Sequence, residues 1–236
     1  MAQSRYDYSF RLRQELHRKI RRVAFFIAAV LVCLALFLRF ILFSVVLYTV
    51  SMEPNIKSGT ALFVSPLFSV RPLMPFFELN RGDVVLALPY ERQEPLLSRA
   101  LNAVVSFATF QQIRYAASGS ESMFITRVIG FPGDTIFMKD YQLYVKPADA
   151  NQFLTEFELR ETDYEIQVNA LPEGWNNTLG AAGSFSEMTL KDDEYFLLCD
   201  NRTVSADSRI WGPVRGSRIQ GRALLIYFPF DAISLL

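Results

Sequence analysis

The chain has 236 residues, of which 51% are hydrophobic, enough for one membrane anchor and one domain with a hydrophobic core. Its 24 basic and 24 acidic side chains balance. The only histidine is His17, and neither Cys33 nor Cys199 has a metal-ligand spacing. The composition therefore excludes a catalytic histidine beyond the N-terminal tail, and it predicts neither a metal site nor another cofactor.

The balanced total hides a basic N-terminus. Residues 1–22 carry seven Arg or Lys against two acids, a net charge of +5. An uncharged run from Val23 to Leu38 follows at once, and after Arg39 a second run extends from Phe40 to Val50. This order predicts a cytoplasmic tail at 1–22 and a transmembrane anchor at 23–43. A nucleic-acid-binding tail does not account for the apolar run, so no nucleic-acid partner is expected.

A cleavable signal peptide has the same basic start and apolar middle. However, the bulky residues from Val45 to Val50 offer no small-x-small cleavage site before the next segment. We therefore expect an uncleaved anchor, with residues 44–236 forming a domain outside the cytoplasm.

Beyond the anchor, short β-branched and apolar runs alternate with turn signals. The Arg81-Gly82-Asp83 segment predicts a turn that enters a buried strand, and Phe131-Pro132-Gly133-Asp134 predicts a second turn. Many short strands predict a mainly β domain. The predicted strands are Leu42–Tyr48, Thr60–Val64, Asp83–Leu88, Phe124–Ile129, Thr135–Met138, Leu143–Lys146, Glu194–Leu198 and Arg222–Phe228.

Two stretches break the β pattern. Leu96 to Tyr115 has apolar residues near helical spacing, and its uncharged part is too short to span a bilayer. It is either a helix packed on the β core or a segment that enters the outer leaflet. The stretch from Asn169 to Glu187 is rich in Gly, Asn and Ser, which predicts a surface excursion.

Two polar segments carry the chemistry. Ser51-Met52-Glu53-Pro54 follows the anchor by about one strand, which places a serine hydroxyl near the membrane surface. That hydroxyl is a poor nucleophile unless another group removes its proton. The stretch from Asp200 to Arg209 consists largely of polar and small residues and lies between apolar strands. Such a composition excludes a core segment and predicts a loop.

In this order, four segments resemble type I signal peptidases. These segments are Ser51–Pro54, Arg81–Val85, Arg127–Asp134 and Asp200–Arg209. Members of that family are membrane serine endopeptidases that cut signal peptides from exported preproteins after small-x-small sites. The resemblance implies a membrane-anchored β domain of antiparallel sheets preceded by one transmembrane helix. It covers roughly residues 23–228, with insertions near 89–123 and 147–190.

The resemblance also implies a location and partners. The protein would cross the bacterial inner membrane once, with its N-terminus in the cytoplasm and its main domain outside. Its partners would be exported preproteins, bound through their signal peptides, and the lipid bilayer. The substrate would lie extended and add a strand to a sheet edge.

Roles at the site follow from the same resemblance. Ser51 would be the nucleophile, and the hydroxyl of Thr49 would help to stabilise the oxyanion. Met52 would line the substrate cleft. The resemblance implies three supporting roles in the later loop: Ser205 would hydrogen-bond the general base, and Asp207 and Arg209 would form an ion pair.

Thr126 departs from the family pattern. The family's general base is a lysine immediately before the Arg127-Val128-Ile129-Gly130 run, and threonine cannot accept the serine proton at neutral pH. Arg127 stays protonated, and Lys57 would need a tight reversal to reach Ser51. We therefore keep two hypotheses: a type I signal peptidase, and a catalytically impaired or non-catalytic paralogue that binds exported chains or assists assembly.

Overall fold

The computed structural model describes residues 17–34, 42–66, 79–88, 123–169, 181–203 and 205–236. The chain divides into two units, Met1–Ile41 and Leu42–Leu236. In the first unit, residues 17–34 are helical. Among the described residues, no helix is both long and apolar enough to cross a membrane. The anchor expected at 23–43 lies partly outside the described ranges, and the stretch from Leu96 to Tyr115 lies wholly outside them.

The described part of the second unit is mainly β, with every strand pair antiparallel, as the sequence predicted. Its strands are β1 (Phe43–Val46), β2 (Ala61–Ser65), β3 (Val84–Ala87), β4 (Phe124–Gly130), β5 (Thr135–Lys139), β6 (Gln142–Lys146), β7 (Leu154–Thr155), β8 (Phe185–Thr189), β9 (Glu194–Leu198), β10 (Val214–Arg215), β11 (Ile219–Phe228) and β12 (Ser234–Leu235).

The larger sheet has the order β1-β2-β11-β3-β4-β9-β10, with β12 paired to β11. The long strand β11 pairs with β3 near its start and with β2 over the rest of its length. Where β11 changes partner, a Cβ on Gly221 would collide with the carbonyl oxygen of Ser65. Only glycine allows the two backbones to approach so closely at this point.

The smaller sheet has the order β7-β6-β5-β8. The predicted Phe131–Asp134 turn leads from β4 in the larger sheet to β5 in the smaller one, with Gly133 at a φ of +84°. Strands β5 and β6 form a hairpin, in which Lys139 lies opposite Gln142. Both turn residues have positive φ, 52° at Asp140 and 64° at Tyr141, as a two-residue hairpin turn of this kind requires.

Strand β4 lies in the middle of the larger sheet, between β3 and β9. All of its residues after Phe124 are buried, including the polar Thr126 and the charged Arg127. Its side chains take part in all three apolar clusters of the described domain, through Ile125, Val128 and Ile129. The position that carries Thr126 is therefore at the centre of the domain.

Some elements were absent from the sequence predictions. The excursion expected from Asn169 to Glu187 ends too late, because β8 already begins at Phe185 and pairs with β5. Helix α1 (Glu156–Leu159) begins with a capping box in which Thr155 and Glu158 each bond the other's backbone N–H. That signal is visible in the sequence, as a threonine followed three residues later by a glutamate. Helix α2 (Ser208–Trp211) is capped by Asp207.

Candidate active site

Ser51 lies in the loop between β1 and β2, and its hydroxyl contacts one other hydroxyl. The Oγ of Ser51 is 2.8 Å from Oγ1 of Thr49. Met52, the next residue, has no exposed surface and belongs to the same apolar cluster as Ile125. Burial of Met52 holds the loop on the core while Ser51 stays partly accessible. Thr49, Ser51 and Met52 are near neighbours in the chain: the hydroxyls of Thr49 and Ser51 meet, whereas Met52 is buried in the core and offers no surface to the substrate cleft expected from the sequence.

A second loop, residues 199–203 and 205–207, holds the backbone of the loop that carries Ser51. The Asn201 amide donates a hydrogen bond of 3.0 Å to the carbonyl oxygen of Ser51, and Asn201 Nδ2 donates one of 3.3 Å to that of Val50. Ser205 Oγ also donates to the Ser51 carbonyl, at 3.4 Å. These bonds join residues about 150 positions apart and fix the peptide that carries Ser51.

Asn55 fixes the other end of the loop that carries Ser51. Its Nδ2 donates 2.8 Å hydrogen bonds to the Glu165 carbonyl and to Oδ2 of Asp200, and its Oδ1 accepts one of 3.1 Å from the Glu165 amide. The segment around Gln167 then pairs with Asp200 and Arg202 through backbone bonds of 2.9 and 2.8 Å. No motif signalled Asn55, because its partners lie far away in sequence.

Arg127 joins three of the motif segments in one buried ion pair. Its Nε and Nη2 donate to the carboxylate of Asp200 at 2.9 and 2.7 Å, and its Nη1 donates to the Gly82 carbonyl at 2.5 Å. Its guanidinium also stacks 4.1 Å above the ring of Tyr164. Such a bidentate pair is directional, so it fixes the register of β4 against both loops. The Arg81-Gly82-Asp83 turn thus has the structural role that its sequence predicted.

The predicted pair between Asp207 and Arg209 is present, and both side chains are fully buried. Arg209 Nε and Nη2 each donate to Asp207 at 2.8 Å. Asp207 also accepts the backbone amides of Cys199 and Arg209, at 3.2 and 3.1 Å. The Asp207 carboxylate therefore bonds the backbone on both sides of its own loop and also pairs with the Arg209 guanidinium.

A third buried pair joins the same loop to the smaller sheet. Arg202 donates to both carboxylate oxygens of Glu156, at 2.9 and 2.5 Å, and to the Tyr141 carbonyl at 3.1 Å. Tyr164 Oη donates to the second Glu156 oxygen at 3.2 Å. Sequence reasoning missed Glu156, although a single buried acid at the start of α1 must find a cationic partner.

Thr126 has no exposed surface, and its Oγ1 has no hydrogen-bond partner within the described ranges. It lies opposite Val85 on β3 and shares its face of β4 with Phe124 and Val128. A buried hydroxyl without a partner is unfavourable, so this side chain gains nothing from polar contacts. The hydroxyl makes no hydrogen bond to Ser51 or Ser205, and it cannot accept the serine proton at neutral pH.

Two other groups are poor replacements for the missing base. Lys57 is exposed in the turn before Gly59. Cys199 is 1% exposed, and burial raises the pKa of its thiol, with further increases from the carboxylates of Asp207 and Asp200. The thiolate is the form that accepts a proton, so a raised pKa removes it at neutral pH.

A serine hydroxyl beside a second hydroxyl, on a mainly β domain, fits the serine endopeptidase class. Residues 20–228 match the family model described as "Signal peptidase, peptidase S26". The chain belongs to this signal peptidase family.

Two relatives match the chain in sequence. The chain is 28% identical to signal peptidase I of Bacillus licheniformis, over 86% of each chain. It is 27% identical to the chloroplastic thylakoidal processing peptidase 1 of Arabidopsis thaliana, over 80% of this chain and 52% of that one. A solved signal peptidase I from Enterococcus faecalis V583 is 22% identical over 62% of this chain and 97% of that one, with a TM-score of 0.32.

Proposed function

We propose that the chain is a type I signal peptidase that cleaves signal peptides from exported preproteins after small-x-small sites, with Ser51 as the nucleophile. The observation that carries this proposal is the pairing of Ser51 with Thr49, on a peptide held by Asn201 and Ser205. A serine with a neighbouring hydroxyl donor matches what acyl transfer needs at the oxyanion. Asp207 and Arg209 support the loop that carries Ser205.

The proposal includes slow catalysis. A serine peptidase without its base keeps only about 10³–10⁴-fold catalysis over water, from substrate binding and the oxyanion donors. Thr126 and Cys199 are both buried and neither is a competent base at neutral pH. We therefore expect turnover far below that of a peptidase with a lysine at position 126.

A second candidate function is supported by the unpartnered hydroxyl of Thr126. A chain selected only to bind exported preproteins, or to assist their assembly, has no need for a proton acceptor at this position. The same β domain would then hold the signal peptide without cutting it.

One experiment separates the two functions. The purified full-length protein is incubated with a model preprotein that has an Ala-x-Ala site, beside the Ser51→Ala variant. Slow cleavage that disappears in Ser51→Ala supports the peptidase. Binding of equal affinity to both proteins, with no cleavage at long times, supports the second function. Cleavage that persists in Ser51→Ala contradicts the assignment of the nucleophile.

We also propose that the protein is anchored in the bacterial inner membrane, with residues 1–22 in the cytoplasm and residues 44–236 outside. The net +5 tail beside an apolar run supports this orientation. Ser184 is exposed, so protease added outside intact spheroplasts should cleave near it while the N-terminal tail stays protected. Protection of the Ser184 region before lysis, followed by cleavage after lysis, would show the opposite orientation.

A further inference from the structure

The thiol of Cys199 fills the gap between strand β4 and the loop that carries Ser205. Its Sγ is 4.0 Å from the carbonyl oxygen of Ile125 and 3.7 Å from that of Ala206. Cys199 is 1% exposed and belongs to the same apolar cluster as Met52. The gap between these two backbone segments is therefore occupied by a side chain and closed to solvent.

The strand register places Cys199 beside Thr126. The antiparallel ladder of β4 and β9 ends with Arg127 opposite Leu198, and Thr126 and Cys199 are the next residues of the two segments beyond that last pair. Side chains at opposite positions of such a ladder lie on one face, with Cβ atoms about 4.5–5.5 Å apart. A longer side chain at position 126 that extends towards Ser205 and Ser51 must cross the space that the thiol fills.

From this placement we infer that Cys199 is a second residue, beside Thr126, that limits proton transfer at Ser51. The inference rests on the proposed function. The space that a lysine side chain at position 126 would occupy lacks an amine, because Thr126 stands there. The thiol of Cys199, from the neighbouring loop, also fills part of that space. Protein interiors are close-packed, so a lysine stem and this thiol compete for the same volume. The single substitution Thr126→Lys therefore restores only part of the ability to accept the proton of Ser51.

The test compares variants of the full-length protein in the Thr126→Lys background. Cys199→Ala removes the thiol and opens the gap, whereas Cys199→Ser keeps a side chain of similar size there. Cys33→Ala, at the other cysteine, controls for the loss of a thiol as such. We expect kcat for a model preprotein to rise at least tenfold with Cys199→Ala, and to stay within about twofold with the other two changes.

The melting temperature provides a readout that does not depend on peptidase activity. In a tightly packed core, Cys199→Ala alone lowers stability, because it deletes a buried atom. In the Thr126→Lys background the same change should raise the melting temperature, because it relieves the crowding. This reversal of sign is a coupling that a double-mutant cycle measures directly.

The outcomes are distinct. A reversal of sign without any cleavage would support the role of Cys199 and count against the proposed peptidase function. A rise in kcat with the expected reversal supports both. If Cys199→Ala lowers stability equally in both backgrounds and leaves kcat of Thr126→Lys unchanged, the inference is wrong.

Discussion

Thr126→Lys should raise the rate of preprotein cleavage by about 10²-fold, the lower end of the usual contribution of a general base, because the thiol of Cys199 still crowds the site. Position 126 has no exposed surface, and Phe124 and Val128 share its face of β4. Burial disfavours a charged ammonium, so the pKa of the introduced amine should fall below the ordinary lysine value of about 10.4. The neutral amine would then be available to accept the proton of Ser51.

The pH dependence follows from that lowered pKa. Only the neutral amine accepts a proton, so the rate should rise with pH through the pKa of the amine in the folded protein. The unfolded chain binds more protons than the folded one between the two pKa values, so the variant should also gain stability as pH rises through that window. The measurements are a pH–rate profile of kcat/KM and melting temperatures across the same pH range.

Two controls sharpen this prediction. Thr126→Met introduces a side chain of similar length without an amine, so it should not increase the rate. Adding Ser51→Ala to Thr126→Lys should abolish the gain. A wild-type protein that already cleaves rapidly, with no improvement from Thr126→Lys, would mean that another proton acceptor exists in the chain.

Asp207→Ala should produce the largest loss of stability among the site variants. Removing one partner of a buried ion pair leaves an uncompensated charge and costs about 3–5 kcal/mol. Both side chains of the Asp207–Arg209 pair are fully buried, and Asp207 also accepts two backbone amides. For a domain of this size the melting temperature should fall by roughly 6–20 °C.

The chain offers a matched control for Asp207→Ala. Asp163 forms an ion pair of 2.7 Å with Arg160, but its side chain is 95% exposed. Solvent screens such a pair, so Asp163→Ala should change the melting temperature little. Equal shifts for the two aspartates, measured by thermal unfolding at one protein concentration, would show that burial does not decide the contribution of the Asp207 pair.

Local sequence signals were sufficient for much of the β domain. Glu194–Leu198 was predicted at the bounds that the structure has, because it combines aromatic residues with turn signals on both sides. The other predicted strands lie where expected, with ends that differ from the observed ones by a few residues. The short strands β7 and β10 were missed. Each has only two residues, and such strands depend on the partner strand and not on their own composition.

At the site, too, some residues could be found from the sequence and others only from the structure. The sequence supplied Ser51, Thr49 and Ser205 as candidates, because the four motif segments stand in a recognisable order. It also indicated that Thr126 cannot be the base, which follows from the chemistry of a hydroxyl alone. Asn55 and Glu156 could not be found in this way, because their functional contacts are with Asp200 and Arg202, far along the chain.

The sequence by itself determined the fold class, the candidate nucleophile and the absence of an ordinary base at position 126. Those properties depend on residue type and on neighbours within a few positions. Only the tertiary structure decided that the Asp207–Arg209 pair is buried, and that Cys199 fills the gap between β4 and the Ser205 loop. Burial and packing depend on which distant segments the sheets bring together. The strand register determines those neighbours, and it is established only when the whole domain folds.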